Sequence, residues 1–356
     1  MKLVIDDKIP FIHGLAEQLG TCVYRPGSEI SPVDVQDADA LIVRTRTHAN
    51  EALLKGSKVQ LVVTATIGHD HLDKEYLAQA GIKWHNCPGC NAESVAQYVR
   101  NSLWRTMLAG HLSPNPQDTC VGIVGVGHVG SAVSRALGAE GFRTLHCDPP
   151  KGEPATLADL ARECQVITLH TPLTTEGEHA TFHLANTEFF ASLRQCRVFI
   201  NAARGECTDT QALKAAIRSG KVACAVIDTW ENEPDIDREL LDLAFIATPH
   251  IAGYSADGKA NGTRMSLQHV IDHFRPTPCP QLSVQASNFD YAQEVISQLP
   301  ASFSTSYPWL SPEITAILPH SASSQLQQYD ALADTFRLRS APNSFEFQRG
   351  HYPLRR

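Results

Sequence analysis

The chain lacks any apolar run approaching the ~20 residues that a bilayer-spanning helix needs. Its first apolar run, Leu3-Val4-Ile5, is far shorter than a secretory signal core. A cytoplasmic protein without a membrane partner is expected. Basic residues are in deficit, with 30 Lys and Arg against 38 Asp and Glu and a net charge of −8. That balance argues against broad attraction to nucleic acid or anionic lipid, and leaves room only for a local basic site. A second CxxC to answer Cys87-Pro88-Gly89-Cys90 is missing, and His69-Asp70-His71 has no companions at ligand spacing. No metal site is therefore expected. The ten cysteines are scattered, several within strand-like runs, and read as reduced core thiols. Internal repeats and low-complexity tracts are absent as well.

What is present is length and apolar content. At 356 residues and 43% apolar composition, the chain should divide into two or three domains with ordinary cores. Short apolar runs alternate with helical patterns over the first 95 residues. Lys2–Ile5, Ala40–Val43, Leu61–Ala65 and Ile82–His85 read as strands, and Pro10–Leu19 and Asp73–Gln79 as helices. Val95, Val99, Leu103 and Met107 then form the stripe of a helix over Ser94–Leu108, and Pro114 and Pro116 break it. A second β/α series follows, with strands at Thr119–Val124, Arg143–Cys147, Val166–His170, Arg197–Asn201, Ala223–Ile227 and Leu243–Ala247. Met265, Val270, Ile271 and Phe274 mark a further helix, and Arg275–Pro280 carries three prolines and reads as a stiff linker. Such alternation predicts parallel sheets built from βαβ units.

The segment Thr119–Gly130 is a strand, a GxGxxG turn and the start of a helix. Gly125 suits the tight turn, Gly127 the close approach of a pyrophosphate, and Gly130 close packing of helix on strand. Amides of the first helical turn would then hold the phosphates. Asp148 ends the next strand, 18 residues after Gly130. Its carboxylate can accept from an adenosine ribose and repel a 2′-phosphate, which favours NAD over NADP. A simple turn cap before Pro149 is the other reading of Asp148, and Lys151 works against the preference.

Beyond this fingerprint, Arg204, Glu233 and His250 follow successive strands. Ligands of open α/β sheets bind outside the carboxyl ends of the strands, so the three residues belong at one sheet edge. Oxidising a secondary alcohol needs a base near its operating pH, which imidazole supplies. A carboxylate on the far ring nitrogen orients that base, and a guanidinium grips a substrate carboxylate with two parallel bonds. Singly, each has a bland reading: surface ion pair, turn carboxylate, packed imidazole. Jointly, they point to hydride removal from a 2-hydroxy acid.

At these residues the sequence resembles the D-isomer-specific 2-hydroxyacid dehydrogenases. The resemblance rests on Val43-Arg44-Thr45, Thr64–Gly68, Pro88–Ala92, Gly122–Gly130, Cys147–Pro150, His170–Leu173, the Arg204 and Glu233 blocks, and Thr248–Tyr254. It implies Arg204 and Glu233 as active-site residues and His250 as proton donor or acceptor. Asp148, Thr171, Asp228 and Gly253 would touch NAD, and Thr45, Thr66 and Tyr254 the substrate. The Pro88–Ala92, Cys147–Pro150 and His250–Tyr254 blocks resemble the branch that oxidises 4-phospho-D-erythronate to (R)-3-hydroxy-2-oxo-4-phosphobutanoate for pyridoxal 5′-phosphate synthesis. Position 45 is Thr where that branch carries Ser, which keeps the hydroxyl. Arg44 and Arg46 share one face of an extended strand and could meet the phosphate, although a solvated face has the same pattern.

The resemblance implies an α/β chain with two Rossmann-like parallel-sheet domains and a smaller C-terminal α+β dimerisation domain. A split substrate domain (1–95 and 254–275) would hold an inserted NAD-binding domain (96–253). Residues 281–356 would dimerise the chain, over a tail shorter than the family's. A relative acting on 3-phosphoglycerate or glycerate, and an NAD-sensing protein that does no chemistry, remain alternatives. If Asp148 meets the ribose, Asp148→Ala should raise NADP use relative to NAD. Steady-state kinetics with both cofactors test this, and an unchanged preference contradicts the contact.

Overall fold

Branched and apolar residues are concentrated in runs with no polar face, the pattern of parallel strands covered on both sides by helices. In Ala40–Val43, Leu61–Thr64, Val166–Leu169, Val198–Asn201 and Cys224–Ile227 every position is buried. A computed structural model describes residues 1–280 and 344–350. These residues fall into two compact units, one of residues 1–91 and 255–280, the other of 92–254 and 344–350.

The first unit carries strands β1 (Lys2–Asp6), β2 (Thr21–Arg25), β3 (Ala40–Val43), β4 (Leu61–Thr64) and β5 (Lys83–His85). They form a five-stranded parallel sheet in the order β2-β1-β3-β4-β5. The helix Ala256–Phe274 returns to this unit and buries Leu267, Val270 and Ile271 against Leu3, Ile5, Ile42, Leu61 and Val63. The other face of the sheet packs Val4, Leu41, Val43 and Val62 against Val35, Leu53, Leu54 and Leu77. Alternate residues of one strand thus serve opposite cores, as the pleat requires.

The second unit carries β6 (Cys120–Val124), β7 (Arg143–Cys147), β8 (Val166–Leu169), β9 (Val198–Asn201), β10 (Cys224–Ile227) and β11 (Ile246–Ala247). All pairings are parallel, in the order β11-β10-β9-β8-β6-β7. The helix Ala92–Leu108 lays Val95, Val99, Leu103 and Met107 on one face with Val121, Ile123, Val198, Ile200 and Val226. On the other face, Phe189, Phe190, Leu213, Trp230 and Leu240 cover Val124, Ile167, Phe199 and Ile227. Phe345, from the helix Ser344–Gly350, joins that second core at 2% exposure. The chain switches direction across the sheet between β6 and β8, which opens a crevice at their carboxyl ends.

Several local expectations fail for definable reasons. Residues 10–19 are turns with a short 3-10 segment at Ala16–Gln18, not a helix. Ile9, Ile12, Ala16 and Leu19 are buried at spacings that imitate a helical stripe, but Phe11 and Gly14 adopt φ of 62° and 79° and interrupt it. Strand β2 was not expected, because it lies at the sheet edge and no residue in it is buried. Leu243 ends the helix Arg238–Leu243 instead of opening β11. Of the expected dimerisation region 281–356, all but residues 344–350 lie outside the described residues. No described helix is long and apolar enough to cross a membrane.

Gly130 shows how tightly the glycine turn is built, since a Cβ there would lie 2.0 Å from the Gly125 carbonyl oxygen. Gly130→Ala should cost about 1–3 kcal/mol through overpacking and weaken NADH binding. Thermal melts and NADH fluorescence titration measure both, and an unshifted melting temperature contradicts the packing argument.

Candidate active site

Strand β6 ends at Val124, and Gly125 turns the chain with φ +85°. A side chain there would meet the His170–Thr171 peptide at 2.9 Å, so only glycine fits between the ends of β6 and β8. The Gly125 N–H donates to the Cys147 carbonyl at 2.8 Å, tying the turn to the end of β7. Asp148, next in line, accepts from the Val126 N–H at 2.7 Å, and Lys151 Nζ donates to the Val126 carbonyl at 2.7 Å. Gly127 precedes the helix His128–Ala139, and no atom lies within 4 Å of where its Cβ would be. Bare first-turn amides, open space at Gly127 and a carboxylate at the end of β7 suit a dinucleotide with its pyrophosphate on the helix terminus. Thr171 Oγ1 donates to Cys207 Sγ at 3.6 Å and links the end of β8 to the turn after β9. Burial pushes the His170 imidazole down to about 3, so it stays neutral, bonded through Nε2 to Thr168 Oγ1 at 3.0 Å.

Across the same sheet, the ends of β9, β10 and β11 carry the other predicted residues. Arg204 is set by Asn201, whose amide nitrogen donates to the Arg204 carbonyl at 2.9 Å and to Thr208 Oγ1 at 3.1 Å. The amide oxygen of Asn201 accepts from Ala203 N–H at 3.1 Å and from Thr229 Oγ1 at 3.0 Å, so one side chain joins the loops after β9 and β10. Gly205 keeps these loops together, because a Cβ would lie 1.9 Å from the Trp230 carbonyl.

Asp228 is 1% exposed and accepts from Thr248 Oγ1 at 2.6 Å, Ile251 N–H at 2.7 Å and Ala252 N–H at 2.9 Å. Burial raises its carboxyl above the usual range against the pull of His250 and these donors. Those donors fix the loop that carries His250, Gly253 and Tyr254. Within it His250 takes the left-handed region at φ 55°, its N–H shared between the Asp228 and Thr248 carbonyls at 2.8 and 3.0 Å. A non-glycine residue in that region stores strain, which the surrounding bonds offset.

Glu233 Oε2 lies 2.8 Å from His250 Nδ1, and its Oε1 accepts from the Trp230 N–H at 2.9 Å. Burial alone would raise the Glu233 carboxyl, but the charge and hydrogen bond of His250 outweigh it and hold it below its ordinary value. An ionised Glu233 places a proton on Nδ1 of His250, which leaves the Nε2 lone pair of the neutral ring free to accept another. The structure therefore brings Glu233 and His250 into contact, and it puts Arg204 at the end of the strand beside theirs.

Residues expected to touch substrate also lie in the first unit. Thr66 follows β4, and its hydroxyl donates to the Gly68 carbonyl at 2.8 Å. Thr45 and Arg46 are exposed. The extended strand expected for Arg44 and Arg46 is instead a turn, closed by Thr47 N–H on the Arg44 carbonyl at 3.3 Å. The alternation argument for a shared face therefore fails, and Arg44 Nη1 donates to the Lys8 carbonyl at 2.9 Å.

Two contributors escaped the sequence reading. The sequence reading has Asn201 only as the end of a strand, although an amide just ahead of a functional arginine is a visible cue. Arg349, in the helix Ser344–Gly350, hydrogen-bonds Tyr254, and its charge also helps to lower the Glu233 carboxyl. Nothing local in the tail announces a partner about a hundred positions earlier in the chain.

The unit that carries the glycine turn matches a known family. Residues 90–252 match the family model "D-isomer specific 2-hydroxyacid dehydrogenase, NAD binding domain". The chain is 45% identical over its whole length to an erythronate-4-phosphate dehydrogenase of Bacteroides thetaiotaomicron, covering 97% of that protein. It is 40% identical over 99% of its length to one from Porphyromonas gingivalis, covering 92% of that protein. Among solved structures, NAD-bound 3-phosphoglycerate dehydrogenase of Entamoeba histolytica matches with TM-score 0.63 and 25% identity, over 81% of this chain and 99% of that one. The D-lactate dehydrogenase of Aquifex aeolicus, complexed with NAD and lactic acid, shares the fold with TM-score 0.63 and 24% identity, over 77% of this chain and 96% of that one.

The lowered carboxyl of Glu233 gives a pH signature. Its bond to His250 adds stability above the ordinary carboxylate value of 4.5, and that stability is lost as the pH falls through the lowered folded-state value. Glu233→Gln should cost about 1–3 kcal/mol at neutral pH, with the gap to wild type closing in acid. Paired melting curves across pH measure this, and parallel curves contradict it.

Proposed function

The chain belongs to the erythronate-4-phosphate dehydrogenases of the D-isomer-specific 2-hydroxyacid dehydrogenase family, and on that premise we propose which of its groups carry the reaction. It oxidises 4-phospho-D-erythronate at C2 to (R)-3-hydroxy-2-oxo-4-phosphobutanoate, in the service of pyridoxal 5′-phosphate synthesis. NAD, when bound, supplies the acceptor for the C2 hydride. The observation that carries the residue roles is the Glu233–His250 bond, at strand ends of the same sheet that holds the glycine turn.

Nε2 of neutral His250 takes the proton of the C2 hydroxyl as the C2 hydride departs. The imidazolium so formed is stabilised by Glu233, already ionised and bonded to Nδ1. Arg204 pairs with the C1 carboxylate, a planar partner that suits its fork. In the reverse direction the same imidazolium returns the proton to the C2 oxygen. Asp228 acts through the His250 loop, while its position at the end of β10 also suits contact with the cofactor. Gly125, Gly127, Gly130, Asp148, Thr171 and Gly253 hold the dinucleotide. Thr45, Thr66 and Tyr254 meet the substrate and the chain works as a cytoplasmic homodimer, readings supported by the family resemblance, whereas the case for Arg44 falls with its strand.

The test is NADH formation by purified protein given 4-phosphoerythronate or 3-phosphoglycerate, with an oxo-acid acceptor present in case the cofactor is held tightly. Turnover should favour phosphoerythronate, and preference for phosphoglycerate overturns the substrate assignment. His250→Asn should lower kcat by roughly 10²–10⁴-fold, the worth of a positioned acid–base group. NADH affinity should stay near wild type. Undiminished turnover removes His250 from the reaction.

A further inference from the structure

Arg349 stands in the second unit beside Glu233 and Tyr254, yet no step so far uses it. Its helix, Ser344–Gly350, is anchored by Phe345, which is 2% exposed in the core that also holds Trp230. Phe345 and Arg349 are four residues apart and so share one helix face. The face that enters the core therefore also delivers the guanidinium. Trp230 in turn gives Glu233 its backbone donor, so the anchor of the helix and the neighbour of Arg349 belong to one packed region.

Arg349 donates to the Tyr254 hydroxyl. Glu233 acts on it as a neighbouring charge, since both of its oxygens are already engaged, by His250 at 2.8 Å and by the Trp230 N–H at 2.9 Å. Burial opposes the charge of Arg349, and Tyr254, Glu233 and Glu346 outweigh it. The Nε of Arg349 is buried and has no hydrogen-bond partner among the described residues. A buried donor left unmet is costly. That cost fits a cation kept for a ligand better than one kept for the fold.

The substrate supplies the need, given the function proposed above, on which this inference rests. It carries two anions, the C1 carboxylate and the phosphate on C4. Arg204 takes the first. The second lies only two carbons beyond the C2 that His250 serves, and hence near the loop from His250 to Tyr254. That loop is tightened by the Tyr254 N–H on the Ile251 carbonyl at 2.8 Å, and Tyr254 is the residue to which Arg349 bonds. Lys151 is engaged elsewhere, on the Val126 carbonyl of the cofactor turn. A guanidinium also suits a phosphate better than a point charge does, because its parallel N–H groups match two oxygens at once.

We propose that Arg349 binds the C4 phosphate of the substrate, which makes the helix Ser344–Gly350 part of the active site and the protein selective for phosphorylated 2-hydroxy acids.

The test compares kcat/KM for 4-phosphoerythronate and for unphosphorylated erythronate in wild type, Arg349→Met and Arg349→Lys, with inorganic phosphate as an inhibitor. Arg349→Met should shrink the preference for the phosphorylated acid by about 10–100-fold, the worth of a hydrogen bond to a charged group, chiefly through KM. Competitive inhibition by phosphate should weaken in step. Arg349→Lys, which keeps the charge and loses the fork, should fall between. Equal losses on both acids, or losses confined to kcat, mean a merely structural role and overturn the proposal. An undiminished preference in Arg349→Met overturns it too. Should that variant fail to fold, Arg349→Lys decides, by a preference that drops severalfold or stays at the wild-type value. If erythronate turns over too slowly to measure, the inhibition by phosphate decides in the same way. A wild-type protein inactive on both acids overturns the functional reading itself.

Discussion

The hydrogen bond between Glu233 and His250 is the interaction on which the site depends. It defines the ring tautomer, leaves Nε2 available and holds a negative charge where a positive one will form. Much of the neighbouring structure serves that bond. Trp230 gives Glu233 its backbone donor and ties its indole nitrogen to the Thr248 carbonyl at 2.9 Å. Asp228 gathers the loop that forces His250 into a left-handed backbone. Asn201 links the Arg204 loop to the Glu233 loop. The strained backbone is affordable only because buried, hydrogen-bonded neighbours leave the loop no alternative.

The parallel topology explains why so distant residues meet. Each strand of the second sheet runs the same way, so every loop that leaves a carboxyl end emerges on the same edge. The glycine turn follows β6, Thr171 follows β8, and the Arg, Glu and His loops follow β9, β10 and β11. Side-chain chemistry has only to be placed at strand ends, and the sheet provides the convergence. The first unit repeats the scheme, with Arg44 and Thr45 after β3 and Thr66 after β4.

How far the sequence disclosed this depends on whether the signal was local. Strands buried on both faces, such as Val166–Leu169, stand out because no polar face dilutes them. The glycine turn was legible because backbone geometry demands glycine at Gly125 and Gly130 whatever lies around them. Edge strand β2 carried too little burial to be seen, and residues 10–19 imitated a helix because apolar spacing says nothing of φ at Phe11 and Gly14. The turn at Arg44–Thr47 is local but carries no glycine, proline or asparagine to mark it, while the approach of Arg349 to Tyr254 is a tertiary contact whose partners no short window contains.

The central claim is that hydride leaves C2 while His250 receives the hydroxyl proton. Turnover of 4-phosphoerythronate deuterated at C2, followed by mass spectrometry of the reduced cofactor, tests it most directly. The account predicts one deuterium in each reduced nicotinamide and slower single turnovers than with the unlabelled acid. Reduced cofactor formed without the label, or label retained at C2 while product accumulates, would contradict it.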